Sequence, residues 1–296
     1  MPLFLGFLGV LSFSGTMPAT RVAVQQLDPT FVGIGRAVVA GMLAAALLAV
    51  LRKPLPTRNQ ARGLALVSLG VVLGFPLFST LALRELDSAH GAVIVGLLPA
   101  ATAVMAVARA GERPSRGFWV ASAAGLVAVL TFAAVQGAGA PSSADGLVLI
   151  AVLLCALGYA EGGVLAREMG GWQTICWALV LSLPVTIPTA LLAASGGDLA
   201  GDAGAWTGFA YVCLISMFLG FFAWYAGLAR GGVAKVGQVQ LAQPVLTLVW
   251  SAALLGEDVG PATVAAALAV LVSVAAIQRT RVAPATGPRG ARAAPA

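Results

Sequence analysis

The feature that most constrains this chain is a series of long segments without a charged side chain. Eight segments of about 20 residues or more contain no Asp, Glu, Lys or Arg: 1–20, 63–83, 88–108, 117–144, 169–197, 203–229, 236–256 and 259–278. About 20 apolar residues of α-helix cross a bilayer core roughly 30 Å thick. Segments 29–51 and 146–166 also qualify, with one interior charge each, Arg36 and Glu161. The pattern predicts an all-α integral membrane protein with ten transmembrane helices.

Composition excludes several functional classes. Only 9% of the residues are charged, against about a quarter in a soluble domain. The basic residues are dispersed between apolar segments and form no patch of the kind that binds nucleic acid. Cys155, Cys176 and Cys213 show no CxxC spacing, which argues against a metal site. HExxH, GxSxG and GxxxxGK[ST] motifs are absent, so we expect no catalytic residues, no metal, no cofactor and no ATP-driven step.

The distribution of basic residues predicts the orientation. With a cytoplasmic N-terminus, the outer connectors hold Arg21 and Arg84, and Arg36 lies within a helix. The rest of the 17 Lys and Arg residues face the cytoplasm, as the positive-inside rule requires. We therefore expect a multi-pass protein of the bacterial inner membrane with both termini cytoplasmic. Residues 280–296, rich in Ala, Pro and Arg, are predicted to be a disordered cytoplasmic tail.

The chain also contains an internal repeat. A shift of 145 residues superposes four pairs of identical residues: Leu83 with Leu228, Ala89 with Ala234, Pro99 with Pro244, and Glu112 with Glu257. A shift of 146 residues superposes Arg21 with Arg167. The predicted repeats are residues 1–140 and 141–279. Because each repeat has five helices, an odd number, the second enters the membrane inverted. Inverted repeats are typical of secondary transporters, and a duplicated structural or receptor protein is the alternative.

Several motifs resemble one transporter family. They are Asp28-Pro29 followed by Arg36, the run from Pro99 to Gly111-Glu112, and its repeat from Tyr225-Ala226-Gly227-Leu228 through Gln240, Gln243 and Pro244 to Gly256-Glu257. In this order they resemble EamA-type members of the drug/metabolite transporter superfamily, and among these the chain is similar to bacterial aromatic amino acid exporters. The first helix departs from many relatives, with Phe13-Ser14-Gly15-Thr16 in place of an early Trp-Gly.

The resemblance implies a bundle of five plus five helices around a central cavity lined by helices one, three, four, six, eight and nine. It also implies export of amino acids, including aromatic ones, by a monomer or weak homodimer in the lipid bilayer. Export of hydrophobic drugs or other small metabolites is the alternative. An intramembrane enzyme or a channel is a less favoured alternative function.

Helices four and nine carry candidate cavity residues. Pro99 and Pro244 lie near their centres, where a proline frees the carbonyl one turn earlier, although both could simply kink the helices. Gln240, Gln243, Thr247 and Ser251 of helix nine share one face at i, i+3, i+4 spacing. We expect this face to line the cavity; hydrogen bonding between helices is the alternative.

Helices one, six and eight supply further candidates. Tyr225 offers an aromatic ring with a hydroxyl group, and Ser14 and Tyr159 are polar residues of helices one and six. Aromatic residues at helical spacing also serve simply for packing.

Three titratable residues remain. Glu161 and His90 are candidates for gating or proton coupling, because an ionisable group within a membrane is a functional hypothesis by default. Snorkelling of Glu161 to the cytoplasmic surface and a structural His90 are the alternatives. Arg36 is expected to be structural, bonded to helix-end carbonyls or to Asp28.

Overall fold

The computed structural model describes residues 1–86, 94–135, 143–197, 199–255 and 261–283. These residues are predominantly helical. The helices are α1 (Pro2–Val24), α2 (Pro29–Val50), α3 (Arg58–Ala82), α4 (Leu98–Ala110), α5 (Arg116–Val135), α6 (Ser143–Met169), α7 (Gly171–Gly196), α8 (Ala203–Gly231), α9 (three consecutive pieces, Val233–Gly237, Gln238–Ala242 and Gln243–Leu255) and α10 (Pro261–Gln278).

Six helices of the described chain are long and apolar enough to cross a membrane: α1, α2, α3, α6, α7 and α8. Their mean hydropathy lies between 1.4 and 2.1. Many large apolar side chains on their outer faces are exposed, among them Met42, Leu191 and Leu192. In water such surfaces would be unfavourable, whereas lipid tails solvate them. The chain is therefore a multi-pass membrane protein.

Local signals in the sequence explain several helix ends. The carboxylate of Asp28 accepts a hydrogen bond from the Phe31 amide at 2.8 Å and caps α2, which begins with Pro29. Thr57 and Gln60 form a capping box at the start of α3. Gly170 and Gly232 separate α6 from α7 and α8 from α9 with φ angles of +90° and +86°. Glycine adopts this backbone conformation without the steric cost of a Cβ atom.

The main helix contacts join the first five helices to the last five. α1 packs against α8, α2 against α7, α3 and α4 against α6, and α5 against α10. Small residues allow close approach: a Cβ atom on Gly70 of α3 would collide with the Leu154 carbonyl oxygen of α6. Helices in membranes associate through such close backbone packing.

Three helices of the described chain contain a π-helical or a 3-10 segment. α3 has a π-helical segment at Ser68–Gly74 and α8 has one at Val212–Leu219. In α9, a 3-10 segment at Gln238–Ala242 precedes Pro244. The interruption of α9 follows from its proline, but no sequence signal predicted the π segments.

Two short strands are the exception to the predicted all-helical fold. β1 (Arg113–Pro114) follows α4 and pairs antiparallel with β2 (Val282–Ala283), which follows α10. β2 lies at the start of the segment predicted to be a disordered tail, and residues 284–296 lie outside the described chain.

Candidate functional site

A small cavity lies between the two sets of five helices. Its volume is about 30 Å³, enough for about two water molecules. Pockets that hold a small metabolite measure about 300 Å³ or more, so the cavity in this conformation is too small to hold such a molecule. The lining side chains come from α1, α2, α3, α4, α6, α8 and α9: Phe13, Thr16, Met17, Arg36, Val71, Phe75, Pro76, Leu98, Cys155, Tyr159, Ser216, Met217, Phe221, Gln240 and Gln243.

Gln240, Gln243 and Tyr159 form a polar cluster on one side of the cavity. The Gln240 amide nitrogen donates to the Tyr159 hydroxyl at 3.3 Å and to the Gln243 side-chain oxygen at 3.4 Å. The Gln240 side-chain oxygen is buried and has no partner in the described part of the chain. A buried amide oxygen without a partner is costly, and a ligand or water in the cavity would supply the missing donor.

Aromatic rings form another wall of the cavity. The centroid of Phe13 lies 4.8 Å from that of Phe221 and 6.4 Å from that of Tyr159. Trp224 packs behind them, with its ring centroid 5.2 Å from that of Tyr159. Aromatic pairs at these spacings stabilise one another, so the wall is preformed and apolar.

A hydroxyl pair contributes to the lining as well. Thr16 of α1 and Ser216 of the π segment in α8 lie 2.8 Å apart and share a hydrogen bond. The π segments of α3 and α8 supply Val71, Ser216 and Met217 to the cavity. Extra residues in a helical turn redirect side chains and are frequent at functional sites. These residues were missed at the sequence level because nothing in their order signals a π segment.

Two other candidates from α8 and α9 bond between helices instead of lining the cavity. The hydroxyl of Tyr225 donates to the Gly158 carbonyl of α6 at 3.2 Å, and its side chain is fully buried. The hydroxyl of Thr247 donates to the Ser14 carbonyl of α1 at 2.8 Å. The Ser14 hydroxyl accepts from the Trp250 indole at 2.8 Å. The Ser251 side chain lies outside the described part of the structure.

The two candidate prolines are buried beside the cavity. Pro99 is the second residue of α4, and its carbonyl accepts a hydrogen bond from the Gln238 amide of α9 at 2.8 Å. Pro244 is the second residue of the last piece of α9. Gln238, which was not among the candidate site residues, thus links the first turn of α4 to the 3-10 segment of α9.

The candidate Glu161 lies outside the cavity and pairs with Arg109 of α4. Its Oε2 accepts from Nε of Arg109 at 3.1 Å and from Nη2 at 2.9 Å. Exposed fractions of 37% for Arg109 and 13% for Glu161 place the pair at the edge of the bundle. The other gating candidate, His90, lies outside the described residues.

A second carboxylate, Glu112, joins three elements at this end of the bundle. Its Oε1 accepts from the Val233 amide and from Nη2 of Arg167, and its Oε2 accepts from the Ala234 amide, each at 2.8 Å. Glu112 is 3% exposed. Since Val233 and Ala234 begin α9, the carboxylate caps that helix from the connector after α4. The sequence identified Glu112 only as a marker of the repeat and as part of a family motif.

Arg36 bonds a backbone carbonyl, one of its two expected partners, and also lies at the cavity. Arg36 is one of the residues that line the cavity, and it is 1% exposed. Nε donates to the Gly33 carbonyl and Nη2 to the Thr80 hydroxyl, both at 3.3 Å. Asp28, the expected partner, caps α2 through the Phe31 amide instead.

Comparisons with known proteins place the chain in a family. A model of the EamA-like transporter family matches residues 1–134 and again residues 142–279. The uncharacterized transporter YdeK of Bacillus subtilis (strain 168) is 48% identical over 274 residues, covering 93% of this chain and 96% of that protein. An uncharacterized protein of Pseudomonas aeruginosa is 28% identical over 295 residues, covering 94% and 95% of the two chains.

The fold also occurs in a solved crystal structure. It superposes with a TM-score of 0.74 over 94% of this chain and 98% of that chain, at 16% sequence identity. At this identity the likeness concerns the fold alone.

Proposed function

Because this chain belongs to the EamA-like transporter family, we propose that it is a secondary carrier that moves small metabolites across the bacterial inner membrane by alternating access. One observation carries the proposal: a small cavity, with polar groups beside aromatic rings, lies where the first and last five helices meet. Secondary carriers built from two repeats bind their substrates at the interface between the repeats.

Three observations support ten transmembrane helices in two inverted repeats, 1–140 and 141–279. The family model matches the chain twice. The π segments Ser68–Gly74 and Val212–Leu219 fall at nearly equivalent positions under the 145-residue shift. The packing of α1 on α8 is the counterpart of α6 on α3, as a two-fold relation between repeats requires. With both termini cytoplasmic, Glu112 and Glu161 lie on the cytoplasmic side and bridge α4 to α6 and α9.

Amino acids, including aromatic ones, are our preferred substrates, moved outward by a monomer or weak dimer. The rings of Phe13, Tyr159 and Phe221 suit an aromatic or aliphatic side chain. The amides of Gln240 and Gln243 suit the polar end of the substrate, since an amide both donates and accepts. Hydrophobic drugs are the second candidate, favoured by the apolar residues that make up most of the lining.

Transport by the purified protein tests the proposal. We expect proteoliposomes to take up radiolabelled phenylalanine, tryptophan and threonine saturably, with countertransport, and Gln243→Ala to abolish uptake. Gln173→Ala is the matched control, since Gln173 lies near the start of α7 and outside the cavity lining. Repeating the assay with and without a pH gradient determines whether protons are coupled to transport.

The outcomes separate the candidate functions. Loss of uptake in both glutamine variants would indicate general damage, whereas unchanged uptake by Gln243→Ala would argue against helix α9 as part of the site. No uptake of any amino acid, in vesicles competent for another solute, would exclude amino acids. Uptake of a hydrophobic drug in the same vesicles would then favour the second candidate.

A further inference from the structure

The cavity has an unbalanced charge. Among the described residues that line it, Arg36 is the one with a formal charge, and the other polar groups are hydroxyls, a thiol and amides. Outside the lining, the thiol of Cys213 interacts electrostatically with Arg36. A free thiol has an ordinary pKa near 8.5 and is neutral at pH 7, so Cys213 leaves the positive charge uncompensated.

The hydrogen bonds of Arg36 leave part of its guanidinium unused. A guanidinium has five N–H donors, and the bonds to Gly33 and Thr80 use two of them. Within the described part of the chain, Nη1 has no hydrogen-bond partner, and no carboxylate forms a salt bridge with Arg36. Both acceptors it does use are neutral and belong to α2 and α3. A cation buried to this degree normally pairs with an anion.

We propose that Arg36 is the anion-recognition residue of the transport cavity and that it selects substrates that carry a carboxylate. This inference rests on the proposed carrier function and names the charge of its substrate. Planar guanidinium groups match the geometry of carboxylates and bind them through paired N–H donors. Since no described lining residue is acidic, the cavity offers no counter-charge to an ammonium group. Organic carboxylates therefore bind better than zwitterions of the same shape, and organic cations bind worst.

The remaining polar groups complete the selectivity. The unpartnered oxygen of Gln240 accepts a neutral or charged N–H or O–H group, which keeps zwitterionic amino acids within the substrate range. The aromatic wall of Phe13 and Phe221 accommodates the apolar part of the molecule. The charge of Arg36, not the shape of the wall, then separates anions from cations.

A ligand series that varies charge at constant ring structure tests the proposal. The ligands are 3-phenylpropionate (carboxylate only), phenylalanine (carboxylate and ammonium) and phenethylamine (ammonium only). Binding to the wild-type protein in lipid nanodiscs is measured by calorimetry. We expect 3-phenylpropionate to bind at least about tenfold more tightly than phenethylamine, since one hydrogen bond to a charged group raises affinity by about tenfold or more.

Variants of Arg36 supply the second arm. In Arg36→Gln we expect at least about a tenfold loss of affinity for 3-phenylpropionate and no loss for phenethylamine. Arg36→Lys retains the charge without the paired donors, so it should recover part of the affinity. A purely structural role would weaken the three ligands equally, which the ratio of their affinities detects. The wild-type series stands by itself if a variant does not fold.

The results distinguish this inference from the proposed function. Equal or tighter binding of phenethylamine by the wild type would overturn the inference, as would failure of all three ligands to bind. Saturable uptake of phenylalanine alongside such a result would leave the carrier function intact. Preferential binding of 3-phenylpropionate without transport of any compound would support anion recognition and count against the carrier.

Discussion

The capping of α9 by Glu112 allows a quantitative prediction. In Glu112→Ala, the amides of Val233 and Ala234 lose their acceptors in a site where the Glu112 side chain is 3% exposed. A buried donor left without a partner costs about 1–3 kcal/mol, so we expect a total loss of about 3 kcal/mol in the free energy of unfolding. The ion pair with Arg167 adds about 1 kcal/mol or less, because the arginine side chain is 33% exposed.

Thermal unfolding of the purified protein in detergent measures this loss. A change of 1 kcal/mol lowers Tm by about 2–4 °C in a chain of this size class, so Glu112→Ala should lower it by about 6–12 °C. Glu161→Ala is the matched control, because it removes a carboxylate that pairs with Arg109 and caps no backbone amide. Arg167→Gln removes only the ion pair. Equal shifts in Glu112→Ala and Arg167→Gln would refute the reasoning, since the backbone bonds would then contribute nothing.

Three further predictions concern packing, acid stability and cavity access. Gly162→Ala should destabilise the protein by about 1–3 kcal/mol, because the new Cβ atom collides with the Tyr225 ring. Gly146→Ala is the control: a Cβ atom at this position has open space around it, so Tm should stay unchanged or rise slightly. Hydrogen bonds from Gln26 and from the Ala205 amide lower the pKa of Asp202 below its usual value near 4. The ionised Asp202 therefore stabilises the fold fully above about pH 4, and this stabilisation is lost as the pH falls through the lowered pKa. Asp202→Asn should remove a small acid-induced decrease in Tm, and an unchanged dependence of Tm on pH would contradict this. Cys155 lines the small cavity and is 1% exposed. In a variant lacking the other two cysteines, a small thiol reagent should therefore label Cys155 slowly at rest and faster when turnover opens the cavity. Equal labelling rates at rest and during turnover would contradict such an opening.

Local sequence signals predicted the helices well. The segment 29–51 corresponds to α2 at Pro29–Val50, and 169–197 corresponds to α7 at Gly171–Gly196. Such agreement follows from local physics, because apolar length, capping residues and glycines act within a few residues of the chain. Gln240, Gln243 and Tyr159 lie together at the small cavity, and their part in substrate binding stays a prediction.

Side-chain destinations were harder to predict. Gln243 and Thr247 are one turn apart in α9, yet Gln243 lines the cavity and Thr247 bonds to Ser14 of α1. Periodicity places both on one face of the helix but leaves open what that face meets. Arg36 was expected beside helix-end carbonyls or Asp28; it bonds the Gly33 carbonyl and also reaches the cavity.

The sequence alone determined the membrane class, the positions of the helices and the family, because these depend on apolar length and on the order of short motifs. Only the tertiary structure decided which polar groups meet. The cluster of Gln240 with Tyr159 joins residues 81 positions apart, and the cap of Glu112 on Val233 joins residues 121 positions apart. The π segments that turn Ser216 and Met217 toward the cavity likewise depend on how α3 and α8 pack. Contacts of this kind arise from the packing of distant helices, which no local pattern in the chain encodes.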